Sequence, residues 1–337
     1  MGVILIKKRY VLPWQCVVSL LLCVALLQYI FAVKAVARQD RTVQELMSEG
    51  FYNFEENIDI SEYSLTPNEL LYSFLCVIKD APYLFCVSRN LRYSYKTNGH
   101  VISLIPRYTM TKDEYEYARE YCIRRVKAMA SLAEHFKSEV EKALFLHDFI
   151  CENFEYDSSL ENENVYEFLL MGKGTCEAYM LLYTAVLREC GIEAHFAASD
   201  SMAHIWNVVK LDGEWYYVDL TWDDSASSDT VSRRHFLCSD ATATERGHKE
   251  WYLPVDVCCE SEKYENFDFD ELLKGDVTLG DVDHDGEVSL LDLLIIRGQQ
   301  GSNDATDFCA FCADVDLNSV VDDGDVELLR RKLIVSD

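Results

Sequence analysis

Cys176, His204 and Asp219 fall in that order within a short stretch, and together these residue types can run acyl transfer: a thiol to attack, an imidazole to move protons, a carboxylate to orient the imidazole. Cys176 stands in Gly172-Lys-Gly-Thr-Cys-Glu-Ala-Tyr. The glycine pair marks a tight loop. Ala178, Leu181, Leu182, Ala185 and Val186 then recur at helical spacing, and Gly191 supplies a C-terminal stop. Cys176 is therefore expected at a helix N-terminus, where unpaired N–H groups and the helix dipole favour a thiolate. The plain alternative is a buried structural cysteine. The Cys176 backbone N–H is the natural oxyanion donor; the sequence does not point to a second one.

His204-Ile-Trp-Asn-Val-Val-Lys-Leu211 and Glu214-Trp-Tyr-Tyr-Val-Asp-Leu-Thr-Trp222 flank Asp212-Gly213, which predicts a hairpin with a two-residue type I′ turn. In that register Leu211 faces Glu214, His204 faces Thr221 and Asp219 faces Trp206. His204 and Asp219 then share one face as diagonal neighbours, with Asp219 accepting from His204 Nδ1 and Nε2 turned to the thiol. Trp206, Trp215 and Trp222 are expected mostly in the core. Asp223 and Asp224 are expected in a solvated loop after the strand, and His195 and His235 in structural or surface positions.

The C-terminal segment repeats itself at an offset of 33: Asp281, Asp283, Asp285 and Asp292 match Asp314, Asp316, Asn318 and Asp325. Oxygen ligands at loop positions 1, 3, 5 and 12, with a backbone carbonyl at 7, suit a hard cation of coordination number 6 to 8. The candidate calcium ligands are Asp281, Asp283, Asp285, Glu287 and Asp292 in one loop. In the other they are Asp314, Asp316, Asn318, Val320 through its carbonyl, Asp322 and Asp325. Ser319 stands where a loop of this kind expects glycine, which weakens the second site.

The elements that must position these residues come from the rest of the chain. Ser64 to Ile78, Thr111 to His135 and Ser138 to Asn153 carry helical patterns, and Leu91 to Ile105 predicts a hairpin around Asn98-Gly99. The expected divisions are 1–37, an export segment; 38–155, a support region; 156–262, the core bearing Cys176; and 276–337, the repeat module. Within 1–37, Lys7, Lys8 and Arg9 precede an apolar run from Val17 to Val33, and Ala35-Val-Ala37 is a small-x-small cleavage pattern. A retained anchor is the alternative; either way the remainder is expected outside the cytoplasm.

The 337 residues carry 58 acidic and 31 basic side chains, a net charge of -27, which argues against nucleic acid and anionic membranes as partners. Residues 281–337 hold 14 acidic and four basic residues, so much of this acidity belongs to the repeat. No nucleotide-binding loop or zinc-protease signature is present. Thirteen cysteines leave the disulfide pattern open.

The Cys176, His204 and Asp219 segments resemble the transglutaminase-like superfamily. The resemblance extends more weakly through Arg107-Tyr-Thr-Met-Thr, Ala143-Leu-Phe-Leu-His-Asp-Phe-Ile150 and Arg234-His-Phe-Leu-Cys-Ser-Asp240. It implies an α+β, papain-like core in which a helix bearing Cys176 packs on an antiparallel sheet bearing His204 and Asp219. It also implies a cysteine protease, amidase or transglutaminase acting on protein or peptide amides. The competing expectation is a non-catalytic peptide- or cell-wall-binding module of the same fold. The two loop–helix repeats resemble a type I dockerin, a small all-α module that binds two Ca²⁺. That resemblance implies a cohesin module of a scaffolding protein as partner, in a secreted, cellulosome-type complex. Positions 10 and 11, Leu290-Leu291 and Asp323-Gly324, differ between repeats, so the two are not expected to be interchangeable partner faces.

Overall fold

A computed structural model describes residues 42–134, 136–224, 231–269, 272, 279–282, 288–299, 310–316 and 321–335. The export segment and the candidate ligands Asp283, Asp285, Glu287, Asn318 and Val320 lie outside them. No helix among the described residues is long and apolar enough to cross a membrane.

Helix and sheet are mixed, and the first four helices begin where local sequence dictates. α1 (Val43–Tyr52), α2 (Pro67–Asp80), α3 (Lys112–Ala133) and α4 (Glu139–Asn153) each open with a capping box. The pairs are Thr42 with Glu45, Thr66 with Glu69, Thr111 with Glu114, and Ser138 with Glu141. Each box satisfies N–H groups that the helix cannot satisfy itself. A small antiparallel sheet of β1 (Ile58–Asp59), β2 (Tyr93–Tyr95) and β3 (Val101–Leu104), in the order β1-β3-β2, packs with α1 and α2 around Met47, Phe51, Phe74 and Leu104.

The chain then builds the layer that holds Cys176. β4 (Glu155–Tyr156) pairs in parallel with β5 (Lys173–Gly174), and α5 (Val165–Met171) lies between them in sequence. Gly174 lets this loop close on the following helix. A Cβ there would stand 2.6 Å from Phe168 Cδ2 and 2.7 Å from Ala178 Cβ. α6 (Cys176–Glu189) is buried along most of its length through Leu181, Leu182, Val186 and Leu187, each contributing about 1.5–3 kcal/mol of apolar burial. It packs against an antiparallel sheet of β6 (Ala194–Ser199), β7 (His204–Leu211) and β8 (Glu214–Val218), with β7 central.

The β7–β8 register pairs Leu211 with Glu214 and Asn207 with Val218. Asp212 and Gly213 have φ of 54° and 86°, the positive values that a type I′ turn requires. The ladder stops sooner than the alternation implied. Asp219 caps a helical turn, α7 (Leu220–Asp223), so His204 has no strand partner at Thr221, and its strand pairing is only with Ser199 of β6 on the other side of β7. Beyond α8 (Asp240–Glu245), α9 (Leu290–Gln299) and α11 (Asp323–Val335) pack on each other through Leu293, Ile296, Val326 and Leu329. The short α10 (Ala310–Ala313) neighbours α3.

Candidate active site

Cys176 is the first residue of α6 and is partly exposed. The preceding Thr175 does not cap the helix: its hydroxyl is buried without a hydrogen-bond partner. The first N–H groups of α6 are therefore not taken by a side-chain cap, and they point toward the end where Cys176 stands. Thr175, Cys176, His204, Ser199, Asp200 and Tyr156 border one cleft. Tyr156 reaches it because β4 pairs it with Gly174.

His204 opens β7 on the opposite wall. Its Nε2–H donates to Asp219 Oδ2 at 2.7 Å, and the ring borders the same cleft as Cys176. Sequence alternation predicted Nδ1 for Asp219. The bond runs through Nε2 instead, which leaves Nδ1 as the ring nitrogen not engaged with Asp219. Burial works against a charged His204 ring, yet the Asp219 hydrogen bond and the Cys176 contact outweigh it and carry its pKa up to about 9. Burial would likewise raise Asp219, but hydrogen bonds from His204 and His248 hold its carboxyl at about 2.

Several residues that hold this arrangement were not legible beforehand. Asn207 Nδ2 donates to Met180 O at 3.0 Å and to Thr184 Oγ1 at 2.8 Å, tying β7 to α6 midway along both. Asp157 gathers the Ser159, Glu161 and Asn162 amides and the Ser159 hydroxyl. Asn162 O in turn accepts from the Thr175 N–H. That fan of donors, the Ser159 hydroxyl foremost, holds Asp157 down at about 2. Arg89 forks onto Glu177, the residue after Cys176, and so joins the support region to the start of α6. His248 donates to Asp219 Oδ2 at 2.9 Å. The only sequence signal for these groups is their polar type among apolar neighbours.

Asp223 is a correction. It is fully buried rather than solvated: its carboxylate accepts from the Ser232 hydroxyl and the His235 N–H, and it lies 3.3 Å from His147 Nε2. Geometry at that last contact is too poor for a hydrogen bond, so the attraction is Coulombic. Asp224 is half-buried and bonded to the Tyr179 hydroxyl. His195 is structural, bonded to Asp80 at 2.9 Å, and His235 packs edge-on against Trp222. Trp206 is core as expected, whereas Trp222 is exposed enough to stack on His204, ring centroids 5.1 Å apart. The described cysteines from Cys76 to Cys259 are free thiols.

Among the described residues, two clusters gather atoms capable of holding a metal. His204, Asp219 and His248 bring three such atoms within 4.8 Å of one another, but those atoms are engaged in hydrogen bonds to each other. Asp314, Asp316 and Asp325 form the second. One of its amide contacts recurs in the other repeat, where Ser289 stands in the place of Asp322. Asp325 accepts from the Asp316 and Asp322 amides, and Asp292 accepts from the Val282 and Ser289 amides. Asp281, Asp292, Asp314 and Asp325 are all buried.

Comparison with known proteins locates this architecture. Residues 128–220 match the family model of the Transglutaminase-like superfamily, and the chain thus carries a transglutaminase-like domain. Over 132 residues the chain is 24% identical to kyphoscoliosis peptidase of Mus musculus and 23% identical to that of Homo sapiens, covering 33% of this chain. The match spans 20% of those curated relatives' length. Similar solved structures include a TGase, with 14% identity over 51% of this chain and 53% of that one and a TM-score of 0.30. A candidate cysteine protease from Cytophaga hutchinsonii has 13% identity over 51% and 78% and a TM-score of 0.28.

Proposed function

We propose that this protein is an exported thiol enzyme that acts on protein or peptide amide bonds through a Cys-His-Asp triad. What supports the reading above all is the His204 ring, bonded to Asp219 and lining one open cleft together with Cys176. In the proposed reaction the Cys176 thiolate attacks the amide carbonyl carbon. The oxyanion is received by the Cys176 backbone N–H at the uncapped start of α6. The C–N bond breaks, the His204 imidazolium gives its proton to the departing amine, and a thioester remains on Cys176. Neutral His204 then takes a proton from water or from an acceptor amine as that nucleophile attacks the thioester, and the thiolate leaves. Asp219 keeps the ring oriented and supports its positive charge throughout.

The C-terminal repeat is, in this reading, a type I dockerin. Asp281, Asp283, Asp285, Glu287 and Asp292 would hold one Ca²⁺, and Asp314, Asp316, Asn318, Val320, Asp322 and Asp325 another. The buried, all-oxygen sets of the described carboxylates fit a hard cation. Calcium would fix the loops so that the module binds a cohesin of an extracellular scaffold.

The test is Cys176→Ala. Amide hydrolysis or transfer should vanish while calcium binding and cohesin binding persist. Full activity in this variant would contradict the triad, and cohesin binding in excess chelator would contradict the dockerin.

A further inference from the structure

The roles proposed above leave one buried ring unexplained. His248 is 1% exposed. Its Nε2–H donates to Asp219 Oδ2 at 2.9 Å, the same oxygen that His204 Nε2 reaches at 2.7 Å. The other oxygen, Oδ1, accepts from the Trp222 backbone N–H at 3.2 Å. His248 Nδ1 in turn lies 3.3 Å from Ala243 O, which also accepts the His248 backbone N–H. The Trp222 ring stacks on both imidazoles, with centroids 5.1 Å from His204 at an interplanar angle of 8° and 4.3 Å from His248 at 30°.

We propose that His248 is a positioning residue for the Cys176 reaction: by sharing Asp219 Oδ2 with His204, it fixes the carboxylate that orients the His204 ring. This rests on the catalytic reading of Cys176 and His204. A carboxylate torsion is broad and roughly two-fold, so one hydrogen bond from His204 would leave Asp219 free to swivel. With His248 on Oδ2 and the Trp222 amide on Oδ1, swivelling breaks two further bonds, one of them made in a buried, charge-assisted setting. Asp219 is thereby held where the His204 ring needs it. Orientation of this kind is a large part of what a preorganised site supplies. His248 itself touches neither the thiol nor the open cleft, which is why it is not a catalytic residue.

His248→Phe keeps a flat ring against Trp222 but has no donor. His248→Gln keeps a side-chain N–H that can reach Asp219. The rate of Cys176 alkylation by iodoacetamide at pH 7, read on the Cys176 peptide by mass spectrometry, needs no identified substrate. The expected result is a drop of about tenfold to 100-fold in His248→Phe. His248→Gln should recover most of it, and near-ultraviolet circular dichroism should be native-like in both. Nuclear magnetic resonance of the full chain should show two ring N–H protons shifted downfield by Asp219, the His248 signal disappearing in both variants. A wild-type alkylation rate in His248→Phe would overturn the proposal. So would equal losses in Phe and Gln, which indicate a merely structural ring. If wild-type Cys176 reacts no faster than the exposed Cys258, the catalytic reading itself fails, a result distinct from either.

Discussion

His204 carries the account at the level of single residues, because its proton must be present to leave with the amine. Burial opposes that proton, and the Asp219 and Cys176 contacts overcome the opposition, so the ring stays charged up to about pH 9. The rate of acyl transfer should therefore fall as pH rises through about 9. Asp219→Asn should pull this limb down toward the ordinary histidine range near 6.5 and slow turnover by on the order of 10²–10⁴. A pH–rate profile of the two proteins checks both. The same sign governs stability. His204 and the wholly buried His147, also raised to about 9 by Asp148 and Asp223 against burial, are more basic folded than unfolded. Their contribution is complete below about pH 6.5 and is lost as pH rises through 9. The identity of the three candidate residues was legible from type and order. The nitrogen used by His204 was not, because strand alternation puts a side chain on a face without fixing the rotation of its ring. His248 and Asp223 were missed because the contacts that bury them join segments distant in sequence.

Among the secondary-structure elements, the relation between α6 and β7 decides whether Cys176 and His204 meet at all. Helix starts were readable because capping boxes are local, as at Thr111 with Glu114 and Ser138 with Glu141. The hairpin register was readable because Asp212-Gly213 dictates its own turn. The end of β8 was not: Leu220-Thr-Trp222 continues a strand-like pattern, yet the Asp219 side chain accepts from the Trp222 amide and starts a helical turn. Nor could sequence show that Asn207 bolts β7 to α6. Asn207→Ala leaves the Thr184 hydroxyl and an α6 carbonyl without this partner in a dry interface. It should destabilise the protein by about 1–3 kcal/mol. Urea denaturation measures the loss, and Cys176 reactivity should fall with it. An unchanged midpoint would mean that water or repacking replaces the amide.

Across the whole molecule, the acidity is the feature to explain. A net charge of -27 first excluded classes of partner, and its densest part now coincides with carboxylates that the fold buries. Asp281, Asp292, Asp314 and Asp325 lie in two repeats in which Asp292 and Asp325 accept from the corresponding Ser289 and Asp322 amides. Such groups gain most from a divalent cation. Calorimetric titration should find two Ca²⁺ per chain, with Asp281→Ala and Asp314→Ala each removing one. Chelation should reduce helicity without touching Cys176 reactivity. Absence of calcium binding would leave the repeat without its proposed role. The support region and the core are joined by Arg89 on Glu177 and by Arg188 on Asp80, so the first half of the chain helps fix the start of α6 rather than standing apart from it.

The central claim is that Cys176 becomes acylated by an amide. Rapid acid quench of the enzyme with a broad peptide library, followed by mass spectrometry of the Cys176 peptide, tests it most directly. A thioester should form on Cys176 and decay with release of cleaved, deamidated or amine-coupled product, with neither adduct nor product in Cys176→Ala. Product formation by Cys176→Ala at the wild-type rate, or turnover by the wild type with the acyl group on another residue, would contradict it.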